Sequence, residues 1–334
     1  MAMKRVLQTQ LQTELEKNVR FDSSLQQAID YIKGRQDEEM DIFSEPTLRG
    51  AWFDLVTKRN QELISKEEQL LLKGTTAAFF GLSVGSHAAL TWMMSSRANT
   101  IKVIDPDTID ITNLNRLRFG WETVCSKKTD ILRREIAAIS PETNVISYDE
   151  INRQMYTQVI AENPKPSIII EETDDLAGKI YIRQLAKQYK IPVISATDVG
   201  DNVIVEIERY DTEPDTEPFL GRIPKLQDID AEHMSPKERM KLVLQVVGLE
   251  ECSLKMLDSL LAIGTTISTW PQLGSTATIA GGVLATTMKK IILNEPVRSG
   301  RYIISLDDIF TPEINDNVIA AKKERIAELY RRLT

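Results

Sequence analysis

Hydrophobic residues near the start of the chain recur at the spacing of a helix. Leucines stand four residues apart at Leu7, Leu11 and Leu15. This interval places them on one helical face, so we expect residues 1 to about 70 to be helical with polar outer faces. A further helix is predicted from Ser65 to Lys73. Ser65 fits its N-cap and Glu68 its capping-box partner.

From Thr75 the pattern changes to short apolar runs separated by amphipathic segments. The runs predict buried strands at 77–80, 101–104, 145–148, 168–170 and 192–195. The segments between them predict helices at 84–96, 127–139 and 176–189. Alternating strands and helices form βαβ units, so the fold class is α/β with a Rossmann-like, mostly parallel sheet flanked by helices. The partial alternation at 203–208 predicts an added antiparallel strand.

The last third of the chain has a different texture. Residues 211–236 are rich in Pro, Asp and Glu and predict a long, mobile crossover. Two helical stretches should follow, then a buried helix at 275–293, a late strand at 301–306 and a charged helix at 315–332. We therefore divide the chain into a helical extension (1–54), a nucleotide-binding core (55–210), a mobile crossover (211–240) and a C-terminal completion of the same domain (241–334).

Composition narrows the classes of function. The 334 residues are 42% hydrophobic, enough for one large core or two ordinary ones. A formal charge of -8 argues against a general nucleic-acid binder, which needs a basic face. No apolar stretch reaches the ~20 residues that span a bilayer, and the polar start does not resemble a signal peptide. We expect a soluble, cytoplasmic protein. Cys125 and Cys252 form no CxxC pair, so we expect no zinc site.

The turn after the first strand is a candidate nucleotide site. Gly81 permits a tight turn, and the amides of the following helix, near Ser83 and Gly85, suit a phosphate. The next strand ends in Asp105, about twenty residues on, where an acid can accept hydrogen bonds from a ribose. The turn departs from GxGxxG, because Ser83 replaces the middle glycine and Gly85 comes one residue early. By itself the pattern also fits a turn without a ligand, or an NAD- or FAD-dependent oxidoreductase.

The acidic turn that follows favours a triphosphate. It runs Asp105-Pro-Asp107, then five residues, then Asn113-Leu-Asn115-Arg116. This segment resembles the D-x-D-x(5)-N-x-N/Q-R signature of the ThiF/MoeB/HesA superfamily, the ubiquitin-activating-enzyme-like adenylyltransferases.

Further matches occur in the family's order. Lys128 stands at the lysine of a Gly-x-Pro-Lys-like element, although Cys125 replaces the usual glycine. Ile139-Ser-Pro followed by Val145 resembles I-N-P-x(3)-V, and Glu172-Thr-Asp174-Asp175 resembles D-C-T-D-N. The segment that begins at Arg59 resembles the arginine-bearing stretch before the first strand. The likeness covers roughly residues 55–210, and the missing zinc cysteines indicate a divergent branch.

The resemblance implies an ATP- and Mg²⁺-dependent enzyme that converts a carboxylate to an acyl-adenylate. It assigns Asp174 to magnesium and Arg116 and Lys128 to the phosphates. It assigns nucleotide contacts to Gly81, Ser83, Gly85, Asp105, Asp107, Asn113 and Asn115. Arg59 would be an arginine finger that reaches the partner's site in a homodimer. The carboxylate would belong to a ubiquitin-like carrier protein or a ribosomally made precursor peptide, with no nucleic acid or membrane involved.

Each assignment has a structural alternative. Asp174 or Asp175 could cap the helix after it, and Arg116 and Lys128 could be surface residues. Cys252 could serve as a thiol, as in some relatives, although a small packed residue is the simpler reading. The N-terminal extension could clamp a peptide or form a dimer arm. The whole chain could also be a non-catalytic scaffold, although the arginine, lysine and aspartate that a scaffold loses are present.

Overall fold

The fold is built around one mixed sheet. The computed structural model describes residues 2–20, 22–35, 40–223, 226, 229, 233–310 and 316–333. The strands are Thr76–Phe80 (β1), Thr100–Ile104 (β2), Asn144–Tyr148 (β3), Ile168–Glu171 (β4), Val193–Val199 (β5), Asn202–Glu208 (β6) and Gly300–Ile304 (β7). Their order is β3-β2-β1-β4-β5-β6-β7. The pairs from β3 to β5 are parallel, and β6 pairs antiparallel with both β5 and β7. The predicted α/β fold class is confirmed.

Helices cover both faces of the sheet and form the N-terminal part. They are Ala2–Asn18 (α1), Gln26–Lys33 (α2), Pro46–Val56 (α3), Lys66–Gly74 (α4), Val84–Ser96 (α5), Lys128–Ile139 (α6), Arg153–Ala161 (α7), Leu176–Tyr189 (α8), Pro236–Val247 (α9), Leu254–Ala262 (α10), Gly274–Ile292 (α11), Leu306–Phe310 (α12) and Asp316–Leu333 (α13). In the part of the chain that the structure describes, no helix is both long and apolar enough to cross a bilayer.

Strand β1 is covered on both faces, which explains why its residues from Ala77 to Phe80 are all apolar. Ala77 and Phe79 join one hydrophobic cluster, which includes Trp92 of α5. Ala78 and Phe80 join a second cluster on the opposite face, with Tyr156 of α7. Because successive strand residues point to opposite faces, a strand covered on both sides has no polar alternation.

The predicted elements agree closely with the structure, with a few differences. The Ser65 capping box is present, with Ser65 Oγ accepting from the Glu68 amide. Helix α7 was not predicted; its C-terminal carbonyls accept hydrogen bonds from Lys102 Nζ, a buried lysine of β2. The predicted late strand ends at Ile304 rather than 306, because α12 begins at Leu306. Asn315, the predicted start of the last helix, lies outside the described residues.

The N-terminal helices have a small core of their own. Leu11 and Leu15 of α1 pack with Ile29 of α2 and Leu48 of α3. The predicted helical character of this extension is therefore confirmed. Its role as a peptide clamp or a dimer arm stays a prediction.

The predicted mobile crossover includes 224, 225, 227, 228 and 230–232, which lie outside the described residues. A 3-10 helix covers Pro218–Gly221, and α9 already begins at Pro236. The amide of Phe219 donates to Glu208 Oε1 of β6 at 2.6 Å. This contact attaches the first part of the crossover to the sheet.

A buried arginine holds the crossover and two strands together. Arg183 of α8 is 1% exposed. Its Nη1 lies 2.6 Å from Glu171 Oε2 at the end of β4, and its Nε lies 2.8 Å from Glu208 Oε2 of β6. Its guanidinium also stacks over the Phe219 ring at 4.0 Å. Burial favours the neutral form of Glu171, but Lys179 and Arg183 outweigh it and hold the pKa of Glu171 below its usual value.

We predict that Arg183→Met lowers the free energy of unfolding by about 3–5 kcal/mol, because it leaves Glu208 without its buried cation. Urea denaturation measures the change. The control is Arg134→Met, which removes a surface arginine of α6 and should cost less than about 0.5 kcal/mol. Equal losses in the two variants would contradict the role given to Arg183.

Candidate functional site

The turn between β1 and α5 depends on one glycine. Gly81 has φ +84°, and a Cβ atom there would lie 2.3 Å from the carbonyl oxygen of Glu172. The turn thus packs directly against the backbone that follows β4. Gly85 differs, because a Cβ there would meet only Glu172 Cβ at 3.7 Å, an ordinary contact. The structure therefore requires glycine at position 81 but not at position 85.

Asp105 holds this turn from the end of β2. Its Oδ2 accepts a hydrogen bond from the Leu82 amide at 2.7 Å, and its Oδ1 accepts one from the Asp107 amide at 2.9 Å. Burial raises the pKa of Asp105, against the opposing charge of Lys128. Both oxygens are thus already used within the protein, so the predicted ribose contact would have to share them.

Lys128 lies at the start of α6 and reaches back to the acidic turn. Its Nζ is 2.8 Å from Asp107 Oδ2 and 3.5 Å from Asp105 Oδ2. The Lys128 side chain is nearly buried, whereas that of Asp107 is 64% exposed. Asp107 is therefore the more accessible of the two acids.

Arg116, at the end of the acidic turn, is held by hydrogen bonds from its guanidinium. Its Nε donates to Ser83 Oγ at 3.0 Å, and its Nη1 donates to the Asn115 side chain and the Thr112 carbonyl. His87 was not singled out from the sequence, yet its Nε2 lies in hydrogen-bond contact with the Arg116 carbonyl. Burial lowers the pKa of His87, which favours a neutral ring that donates from Nε2. The sequence signal that could have pointed to His87 was its position as a histidine within the largely apolar segment 84–96.

Asp174 is free of a capping role. Asp175 caps α8 instead, accepting from the Ala177 and Gly178 amides at 3.2 and 3.0 Å. Asp174 is exposed, makes no hydrogen bond or ion pair with another described residue, and acts on Arg116 through its charge. The structure therefore leaves this carboxylate available to a ligand.

These groups surround a cavity of about 120 Å³ at the carboxyl ends of β1, β2 and β4. It brings together six predicted residues: Gly81, Ser83, Asp105, Asp107, Lys128 and Asp174. Arg116 joins them through Ser83.

Besides Arg116 and Cys252, four predicted residues do not line the cavity. Asn113 accepts from the Asp110 amide in a local capping box, and Asn115 donates to the Gln272 carbonyl. Gly85 lies within α5, and Arg59 is exposed in the 3-10 turn Lys58–Asn60.

Two carboxyl groups near the site, the half-buried Glu172 and the buried Asp198, were given no role from the sequence. Glu172 lines the cavity and accepts from the Ala196 amide at 2.6 Å; burial raises its pKa well above the usual value. Asp198, near the end of β5, is 4% exposed. Burial raises the pKa of Asp198 to about 6, against the favourable influence of Gln272 and Arg116. Glu172 opens the segment that resembles D-C-T-D-N but was given no role there, and Asp198 stands in no motif.

Cys252 is fully buried beside Leu249 and Met256. Burial raises the pKa of its thiol to about 12, so little thiolate forms at neutral pH. This environment favours the packing interpretation over a reactive thiol.

We predict that Gly81→Ala lowers the free energy of unfolding by more than about 2 kcal/mol, because the new methyl group meets a backbone oxygen at a positive φ. Gly85→Ala is the matched control and should be neutral or stabilising by up to about 1 kcal/mol, since it removes a helical glycine. Thermal and urea denaturation of both variants provide the measurement. Equal tolerance at the two positions would contradict the proposed close approach.

Comparison with known proteins shows the family to which the chain belongs. The ThiF family profile matches residues 57–310. Uncharacterized protein MT1398 of Mycobacterium tuberculosis (strain CDC 1551 / Oshkosh) is 32% identical over 74% of this chain and 34% of its own length. The tRNA threonylcarbamoyladenosine dehydratase of Bacillus subtilis (strain 168) is 32% identical over 47% of this chain and 64% of its own. The adenylyltransferase and sulfurtransferase UBA4 of Meyerozyma guilliermondii is 23% identical over 54% and 43%. The chain thus spans less than two thirds of each of these relatives.

Solved structures share the fold. PaaA superposes with a TM-score of 0.53 at 19% identity, covering 86% of this chain and 80% of that one. Escherichia coli MccB, solved with ATP, superposes with a TM-score of 0.52 at 18% identity, covering 86% and 77%. At these identities the likeness concerns the fold.

Proposed function

The chain belongs to the ThiF family, and on that basis we propose that it binds ATP with Mg²⁺ and activates a carboxylate as an acyl-adenylate. The family and its relatives support an adenylyltransferase of the ubiquitin-activating type. The observation that carries the proposal is the convergence of Lys128, Arg116 and Asp174 on one cavity edge from three separate parts of the chain. Ligands of open α/β sheets bind at this edge, beside the point where strand order reverses.

The chain's own groups suit a triphosphate. The Ser83–Arg116 contact holds the guanidinium beside the amides at the start of α5, and its Nη2 makes no hydrogen bond with a described residue. Lys128 adds a second cation at the far side of the turn. In the proposed reaction these two cations neutralise the phosphates while the carboxylate attacks the α-phosphorus. The new bond joins the acyl oxygen to the α-phosphorus, and pyrophosphate leaves.

The donor set also fits a metal that comes with nucleotide. No group of three or more His, Cys, Asp or Glu able to hold a metal exists among the described residues. Magnesium usually takes one or two protein carboxylates and completes its shell with phosphate oxygens and water. Asp174, exposed and unpaired, would supply such a ligand. When bound, the ion would neutralise phosphate charge and orient the triphosphate.

The cavity is smaller than the ~300 Å³ that ligand pockets usually have. Part of a nucleotide would therefore lie outside it. In our proposal the chain forms a homodimer, and Arg59 of each subunit completes the site of the other. Its exposure in the chain is compatible with such a role.

We propose a ubiquitin-like carrier protein or a precursor peptide as the source of the carboxylate. UBA4 is named an adenylyltransferase and sulfurtransferase, and MccB has been solved with ATP and with MccA. These two proteins share the family or the fold and support a polypeptide substrate.

The decisive test is ATP–pyrophosphate exchange with Mg²⁺ and candidate carrier proteins or peptides encoded near the gene. We predict that Asp174→Asn lowers exchange at least about 100-fold, because it removes the metal-binding charge. Asp130→Asn is the control, a surface carboxylate of α6 that should leave exchange unchanged. Exchange at the wild-type rate in Asp174→Asn would refute the assignment. Binding of NAD or FAD in place of ATP would favour an oxidoreductase.

A second prediction tests the shared site. Arg59→Ala and Asp174→Asn should each be inactive alone, but mixing and refolding them should restore about a quarter of wild-type exchange. Half of a random mixture is hybrid dimer, and each hybrid has one site with both residues intact. Mixing each variant with itself is the control. No recovery, with hybrid dimers shown by mass spectrometry, would place Arg59 outside the partner's site.

A further inference from the structure

Helix α5 holds Arg116 at two points that lie about one helical turn apart. Ser83, the residue before the helix, accepts a hydrogen bond from Arg116 Nε at 3.0 Å. His87, within the helix, has its Nε2 2.5 Å from the carbonyl oxygen of Arg116. Positions four residues apart lie on the same face of a helix. One face of α5 therefore fixes the side chain of Arg116 through Ser83 and its backbone through His87.

The contact with Arg116 is the one hydrogen bond that the His87 ring makes within the described part of the chain. The His87 side chain is 1% exposed, and its Nδ1 has no hydrogen-bond partner among the described residues. Because a carbonyl oxygen can only accept, Nε2 carries the proton in this contact. Burial of a polar ring is costly unless the ring is hydrogen-bonded. For His87 that compensating bond goes to Arg116.

Helix α11 packs against His87 at a glycine. A Cβ atom on Gly281 would lie 2.4 Å from His87 Cβ and 2.7 Å from its carbonyl carbon, so only glycine permits this approach of the two helices. At the start of α11, a Cβ atom on Gly274 would lie 2.7 Å from the carbonyl oxygen of Asn115. Helix α11 thus contacts both the residue before Arg116 and the histidine that binds its carbonyl.

We propose that His87 is a positioning residue for Arg116: held by α11 at Gly281, it donates to the Arg116 carbonyl and so keeps the guanidinium at the cavity edge where the triphosphate would bind. The inference rests on the proposed function. Without this hydrogen bond, Ser83 is the one contact of α5 that holds the guanidinium, since its other hydrogen bonds stay within its own turn. A less ordered guanidinium binds phosphate more weakly, because its ordering then costs free energy on binding.

The test is calorimetric titration of ATP with Mg²⁺ into the full chain, with urea denaturation to confirm that each variant is folded. His87→Leu removes the donor and should raise the Kd for ATP about tenfold, the size expected when a charge-assisted contact is weakened. His87→Gln is the conservative variant; its side-chain amide can also donate, so the Kd should stay within about threefold of wild type. Equal losses in the two variants would overturn the inference, as would unchanged binding in His87→Leu.

A double-mutant cycle separates positioning of Arg116 from a general effect on the fold. Arg116→Ala removes the guanidinium but keeps the carbonyl that His87 binds. If His87 acts through the guanidinium, His87→Leu should cause no further loss of ATP binding in the Arg116→Ala background. A loss that persists there would show a purely structural role and overturn the inference. Failure of the wild-type chain to bind ATP would instead refute the proposed function, on which the inference rests.

Two neighbouring glycines of α11 test the helix contact, and they replace His87→Leu if that variant does not fold. Gly281→Ala should weaken ATP binding severalfold in the wild-type background but not in Arg116→Ala, because the new methyl group displaces His87. Gly282→Ala is the matched control, since a Cβ atom there meets nothing within 4 Å. Equal ATP binding in the two glycine variants would overturn the role given to His87 and α11.

Discussion

The contact between Gly81 and the backbone of Glu172 fixes the position of everything in the candidate site. It joins the end of β1 to the end of β4, the two strands between which the order of the sheet reverses. A side chain at Gly81 would push these ends apart, and the amides of α5 would move away from Asp174. The geometry of this turn therefore depends on the missing side chain of Gly81 more than on the rest of its motif, in which Ser83 replaces the middle glycine and Gly85 tolerates a Cβ atom.

The charged residues of the site form two separate groups, each with one cation and two acids. On one side Lys128 is shared by Asp105 and Asp107; on the other Arg116 lies under the influence of Asp174 and Asp198. In each group one acid is buried and one is exposed. Lys128 lies nearer to the exposed Asp107 than to the buried Asp105. In the proposed function, the exposed acids Asp107 and Asp174 are the ones that a charged ligand can reach.

The sequence was sufficient for the order of the strands in the core and for its helices other than α7, because a parallel sheet covered on both faces needs continuous apolar runs. It also placed Gly81, Lys128 and Asp174 in motifs, and the structure brings the three to one cavity. The sequence contained Glu172 only as the first residue of a motif match and gave no functional signal for Asp198 or His87. Their importance comes from burial beside groups far away in the chain, such as the His87–Arg116 contact. Nor could spacing show that Asn113 caps a local turn, because capping and ligand binding use the same side-chain amide.

The buried ionic cluster behind β4 connects the stability of the fold to the site. Glu171, which Arg183 and Lys179 neutralise, also accepts a hydrogen bond from the Thr173 amide at 3.0 Å. Thr173 directly precedes Asp174, so the same carboxylate that anchors α8 also sets the path of the loop that presents Asp174. Arg183 extends this connection to Glu208 and Phe219 of the crossover. The backbone around Asp174 is thus determined from the interior of the protein, and its side chain is left free to respond to a ligand.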